Sequence, residues 1–212
     1  IVKSQEFKLN SLGYFQNHGV DIMAFDDIYP EGHQGGLAII MNGDRVATNG
    51  DIRLEISPGQ WQPLPIQENR HVDQENNRIA VELSYPDTSR HLKGFNPMIY
   101  PDLEFNYVVN ITGEGNSIVV TVDLDRPIPE DFIGKVGFNF ELFPGHFLGK
   151  SWMMDDQNGI FPIQPNGPTQ LIGGNLNSDY EYNHIEADRI VAQPYSEGKR
   201  LLLAAEDPYS MV

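Results

Sequence analysis

Apolar and polar residues alternate along most of this chain with a period of two, the signature of strands with one face in a core. The clearest case is Leu103 to Thr112, where Phe105, Tyr107, Val109 and Ile111 share one face and Asn106, Val108 and Asn110 take the other. With Ser117 to Asp123 after the turn Gly113-Glu114-Gly115-Asn116, it predicts a β-hairpin. Val136, Phe138, Phe140 and Leu142 alternate in the same way with Gly137, Asn139, Glu141 and Phe143, so Gly134 to Phe143 is another strand. Further strands are predicted over Val20 to Phe25, Gly36 to Met41, Asp51 to Ile56, Arg78 to Tyr85, Ile160 to Ile163, Asp188 to Gln193 and Arg200 to Ala205. Asn42-Gly43-Asp44, Asn49-Gly50-Asp51 and Ser57-Pro58-Gly59 read as tight turns, because their residues accept positive φ or preset it.

No window of twelve or more residues carries a 3.6-residue apolar stripe, and 20 Gly and 15 Pro would interrupt most helices. No repeat of 20 to 50 residues is visible, which argues against a propeller or solenoid. Gln164 to His184, rich in Asn, Gly and Pro, reads as a long loop or a set of short excursions rather than a domain linker. The expected fold is therefore all-β: one antiparallel β-sandwich, supersandwich-like, of ten to fifteen strands over residues 1–212, with little helix.

At 212 residues the chain suits one large β unit, and its 11 Phe and 9 Tyr are too many for a disordered chain. The balance of 14 basic against 30 acidic residues leaves a net charge of −16, which repels phosphate backbones and anionic membranes. No nucleic acid is expected as a partner, and no apolar run is long enough for membrane insertion by a helix. The absence of cysteine removes disulfides, zinc-thiolate sites and thiol catalysis. The chain starts at Ile1 without an initiator Met and stops soon after the strand-like Arg200 to Ala205, so more protein is expected to follow.

The corner after Phe138 carries the densest candidate chemistry. Pro144-Gly145 leads to Phe147, Trp152 and the acid pair Asp155-Asp156, in what reads as a loop from Phe147 to Phe161. A flat aromatic ring matches the C–H face of a pyranose, which makes Trp152, Phe147, Tyr100 and Trp61 candidates for sugar stacking. Core packing is the commoner fate of any one aromatic, and Trp152 stands out for its polar surroundings. Glu141 with Asp155 or Asp156 could act as acid and base on a glycosidic bond if held about 5–9.5 Å apart across a cleft, although 30 acids make some such pair expected by chance. Asp26, Asp27, Glu31 and His33 offer oxygen ligands to calcium, but the Asp-x-Asp-x-Asp-Gly loop is missing and a solvated acidic loop accounts for them. No cofactor is expected. The six histidines lack zinc spacing, and no nucleophile elbow, Walker loop or dinucleotide fingerprint occurs.

Three phrases resemble the front domain of large bacterial polysaccharide-degrading enzymes: Ile28-Tyr-Pro-Glu-Gly-His-Gln-Gly-Gly36, Asn42-Gly-Asp-Arg-Val-Ala-Thr-Asn-Gly-Asp51, and Phe147-Leu-Gly-Lys-Ser-Trp152 with Gly159-Ile-Phe-Pro162. The resemblance is to the N-terminal β-sandwich of cellulase-like glycoside hydrolases similar to family nine. It spans most of the chain and implies a following (α/α)6 barrel. Catalytic residues of that family have no positions here to receive them. What it implies is a non-catalytic, carbohydrate-associated domain of a secreted or periplasmic enzyme, packed on the catalytic domain of the same polypeptide and meeting a polysaccharide or oligosaccharide. Trp152, Asp155, Phe147 and Trp61 are the candidate binding residues. A self-contained jelly-roll hydrolase or lyase using Glu141 and Asp155, and a sandwich without a sugar site, are the alternatives.

Overall fold

Turn chemistry and cross-strand packing place ten strands among the described residues of the first part of the chain. A computed structural model describes residues 6–26, 35–54, 63–89, 100–154 and 157–161, with four further short strands between 170 and 204. The chain divides into two compact units, Ile1–Glu141 and Leu142–Val212. In the first, β1 (Lys8–Leu9), β2 (Phe15–Asn17), β3 (Val20–Ala24), β4 (Leu37–Met41), β5 (Asp44–Leu54) and β10 (Val136–Leu142) form a six-stranded sheet in that order. A four-stranded sheet takes β6 (Ile66–Asp73), β7 (Arg78–Tyr85), β8 (Phe105–Glu114) and β9 (Ser117–Leu124). The fold class is all-β and antiparallel. Among the described residues helix is confined to a 3-10 turn at Glu130–Phe132 and a single turn, α1 (Pro144–Phe147).

The two sheets of the first unit bury their facing residues against each other. Ile79, Val81, Leu83 and Tyr85 on β7 and Phe105, Tyr107, Val109 and Ile111 on β8 are buried, as are Phe15, Ile22, Leu37, Val46 and Leu54 from the other sheet. Each alternates with exposed or half-buried neighbours along β7 and β8, as a period of two requires.

Two turns follow their sequence. Asn42 and Gly43 both have positive φ, 54° and 88°, and pair Met41 with Asp44 across a two-residue hairpin. Gly115, at φ 56°, opens the two-residue loop that pairs Glu114 with Ser117. The turn expected at Asn49-Gly50-Asp51 does not exist, because β5 runs through it. The register of β4 against β5 slips there, with Asn49 in the left-handed region at φ 55°, so an extra residue is absorbed as a bulge. Gly50 serves packing instead: a Cβ would stand 2.6 Å from the Phe140 ring and 2.7 Å from the Cβ of Leu37.

Strand β6 has no apolar alternation and was not expected. It is an edge strand that turns Arg70 toward the opposite sheet, where Nε donates to the Ala24 carbonyl and a terminal nitrogen to the Gly13 carbonyl, both at 2.7 Å. Asn77, in the β6–β7 loop at φ 54°, joins three segments: its side chain accepts from the Leu9 amide and donates to the carbonyls of Phe7 and Gly113, all at 2.8 Å.

In the second unit β11 (Ser151–Met154), β12 (Gln157–Ile160), β15 (Arg189–Ala192) and β16 (Leu201–Ala204) form a sheet in the order β12-β11-β15-β16, and β13 (Gln170–Leu171) pairs with β14 (Tyr180–Glu181). Among the described residues there are sixteen strands rather than ten to fifteen. Two-residue pairings account for the surplus, being too short for periodicity to reveal.

Candidate functional site

The stretch expected to be a loop between Phe147 and Phe161 is a helical turn followed by a hairpin. Pro144 opens α1, where its missing N–H costs nothing and its φ suits the first turn. Gly149, at φ 71°, then redirects the chain. The Gly149 amide donates to the Phe161 carbonyl and the Phe161 amide to the Lys150 carbonyl, both at 2.9 Å, carrying the β11–β12 pairing back to the helical turn. Local polarity hid the hairpin from the sequence, since the Gly, Lys and Asn residues around it also favour loops.

Phe147 is 2% exposed and meets the Phe161 ring edge-on at a centroid distance of 5.7 Å, so its ring packs inside rather than facing solvent. Trp152 is different. It is half-buried on β11 and stands directly opposite Gly159 on β12, and a Cβ on that glycine would come within 2.5 Å of the indole. The bare glycine is what lets the ring lie across the neighbouring strand, which fixes its orientation. On the other face of the hairpin Met153 and Ile160 are 51% and 68% exposed. Trp61, Asp155 and Asp156 lie outside the described residues, as do Asp27, Glu31 and His33 of the calcium reading.

Glu141, the proposed acid or base, is held in an ion pair by Arg53 of the neighbouring strand β5, and both side chains are about one-third exposed (39% and 33%). The guanidinium occupies a Glu141 carboxylate oxygen that a substrate would otherwise have to reach.

The most perturbed acid is one the sequence placed in a turn. Asp51, on β5 just after the bulge, accepts the Tyr107 hydroxyl at 3.0 and 3.1 Å and the Ile52 amide at 2.7 Å. Burial pushes its carboxyl up to about 7, against a partial lowering by the two hydrogen bonds. Burial and the adjacent Asp51 raise the Tyr107 phenol far above its usual range. Tyr85, 4% exposed and stacked on Phe105 at 5.1 Å, is also raised by burial, with a smaller contribution from Tyr100, and among the described residues its hydroxyl has no hydrogen-bond partner. Half-buried Asp51 and the buried Tyr107 and Tyr85 thus form a polar cluster between two sheets. No sequence signal marks it, because Tyr107 and Tyr85 sit at ordinary core positions.

Among the described residues no three metal-ligating side chains converge. Among the described residues one open cleft, of about 270 Å³, is lined by Asp102, Glu104, Arg126, Pro127 and Pro129. It falls below the usual range of ligand pockets, and Arg126 is bound to Asp125 at 2.9 Å. No described helix is long and apolar enough to cross a membrane. Compared with models of known families, with curated proteins and with solved structures, the chain has no match in any of the three.

Proposed function

We propose that this chain is a non-catalytic, carbohydrate-associated β-sandwich module of a secreted or periplasmic polysaccharide-degrading enzyme, resembling the front domain of cellulase-like glycoside hydrolases. The observation that carries the reading is the seating of Trp152 against Gly159. A ring oriented by the strand beside it is a stacking surface that loses little freedom when a sugar docks. The non-catalytic part is supported by Glu141, whose carboxylate is engaged by Arg53, and by Asp51, whose carboxylate is engaged by Tyr107 and the Ile52 amide. The partners in this reading are a glycan and the catalytic domain of the same polypeptide, with neither nucleic acid nor a cofactor required.

The test is calorimetric titration of the whole chain with soluble β-glucans, xylans and mannans, beside a reducing-sugar assay. Wild type should bind at least one of them without releasing sugar, and Trp152→Ala should weaken that binding by about tenfold, the scale of one lost aromatic stack. Binding to none of the polysaccharides refutes the carbohydrate reading. Turnover by the chain alone refutes the non-catalytic one, and binding unchanged in Trp152→Ala refutes the choice of site.

A further inference from the structure

The two edges of the four-stranded sheet are built differently. At β6 the edge is guarded: its register against β7 slips between Gln67 and Asn69, and Glu68 and Asp73 add charge to that of Arg70. The other edge, β9, carries only Asp123 as a guard. Ser-Ile-Val-Val-Thr-Val-Asp-Leu pairs with β8 over eight consecutive residues without a slip, and contains no Pro, Gly, Lys or Arg. Among the described residues no strand pairs with its outer side.

Hydrogen-bond alternation decides which groups point outward. The Asp125 amide donates to the Asn106 carbonyl at 2.9 Å, so the odd-numbered residues of β9 exchange bonds with β8. The amides and carbonyls of Ile118, Val120, Val122 and Leu124 therefore face away from it. These four residues also carry the core-face side chains of β9, opposite Gly113, Ile111, Val109 and Tyr107. Whereas Ile111 and Val109 are wholly buried, Ile118, Val120 and Val122 are half-buried and Leu124 is 38% exposed. One strip of the molecule thus offers both unpaired backbone groups and unfinished apolar packing.

We propose that β9 is the seam of a homodimer, in which two copies of this strand pair antiparallel about a two-fold axis through Thr121. That register sets Val120 against Val122 of the partner subunit and Ile118 against Leu124 of the partner subunit. Every outward amide and carbonyl then meets its complement, and like side chains extend one apolar face. It is a self-complementary arrangement of the kind two-fold symmetry requires. Charge favours the same occupant. The outward positions are uncharged and so give no purchase to a strongly basic or acidic partner. Asp123 lies opposite Val119 of the partner subunit, which separates the two Asp123 residues along the strand by about 13 Å, beyond the screening length of ~8 Å at physiological salt. One added strand pair covers less than the ~1,200 Å² of a stable interface, so the dimer should be weak, forming at ~10–500 μM. With a net charge of −16 on each copy, it should tighten as salt rises.

Sedimentation velocity on the full chain from about 10 to 500 μM, at low and moderate salt, tests this. A monomer–dimer equilibrium favoured by salt is expected, and a chain that stays monomeric throughout overturns the proposal. Val120→Pro removes an outward amide without touching the β8 ladder, and should leave a folded monomer. A dimer that persists in folded Val120→Pro also overturns it. Amide exchange on wild type gives a readout that needs no variant to fold: the amides of Ile118, Val120, Val122 and Leu124 should gain protection with concentration. Exchange at those four sites that does not change as dimer forms refutes the seam.

Discussion

Replacing Asp51 with asparagine should stabilise the first unit at alkaline pH and remove a pH dependence that one half-buried carboxyl imposes. The folded state holds this group at about 7, against an ordinary value of 3.8. A carboxyl raised on folding favours the folded state while it stays protonated. Between pH 4 and 7 the unfolded chain releases the proton and the folded chain keeps it, so stability falls as pH rises through that window and levels off above it. The gap is about three units at ~1.4 kcal/mol each, a cost of about 4 kcal/mol at pH 8 relative to pH 3, or about 2 if solvent reaching the half-buried side chain halves it. Asparagine keeps an oxygen for the Tyr107 hydroxyl and the Ile52 amide but carries no charge to desolvate. The assay is urea unfolding of wild type and Asp51→Asn from pH 4 to 9, followed by circular dichroism. With 30 acidic residues, other groups also titrate, so the informative quantity is the difference between the proteins at each pH. That difference should grow in favour of the variant by about 2–4 kcal/mol between pH 4 and 8. A difference independent of pH refutes the reasoning, as does a carboxyl resonance of Asp51 that titrates below pH 5.

Three further substitutions probe packing. Asn77→Ala removes three hydrogen bonds that tie the β6–β7 loop to Phe7, Leu9 and Gly113, and should cost about 2–4 kcal/mol in chemical unfolding; a loss under about 0.5 kcal/mol would mean that water replaces them. Gly50→Ala drives a methyl into Phe140 and Leu37 and should lower stability by about 1–3 kcal/mol, read as a drop in Tm. Gly159→Ala should lift the indole of Trp152 off β12 and shift its fluorescence in a Trp61→Phe background, and an unchanged spectrum would show that the ring does not rest on that strand.

Much of the architecture was legible in the chain because its causes are local. The Phe105 to Ile111 alternation and the Asn42-Gly43 and Gly115-Asn116 turns depend on residues two to four apart, and the structure follows them. The same kind of reading failed at Asn49-Gly50, where a turn-like dipeptide is a bulge because Phe140, ninety residues later, packs onto the glycine. It missed β6, whose polar residues satisfy an edge rather than a core. Trp152 was singled out for its polar setting, yet its orientation comes from pairing with Gly159, and Glu141 is occupied by an arginine 88 positions away.

By itself, then, the sequence determined the strand-rich class, the hairpin turns and the acidic charge, since backbone preference, side-chain period and charge need no partner. The tertiary structure alone decided that the half-buried Asp51 carboxyl is raised, that Phe147 faces inward and that, among the described residues, β9 is an open edge. Burial, desolvation and strand neighbours are properties of pairs distant in the chain, and no local pattern encodes which pairs will meet.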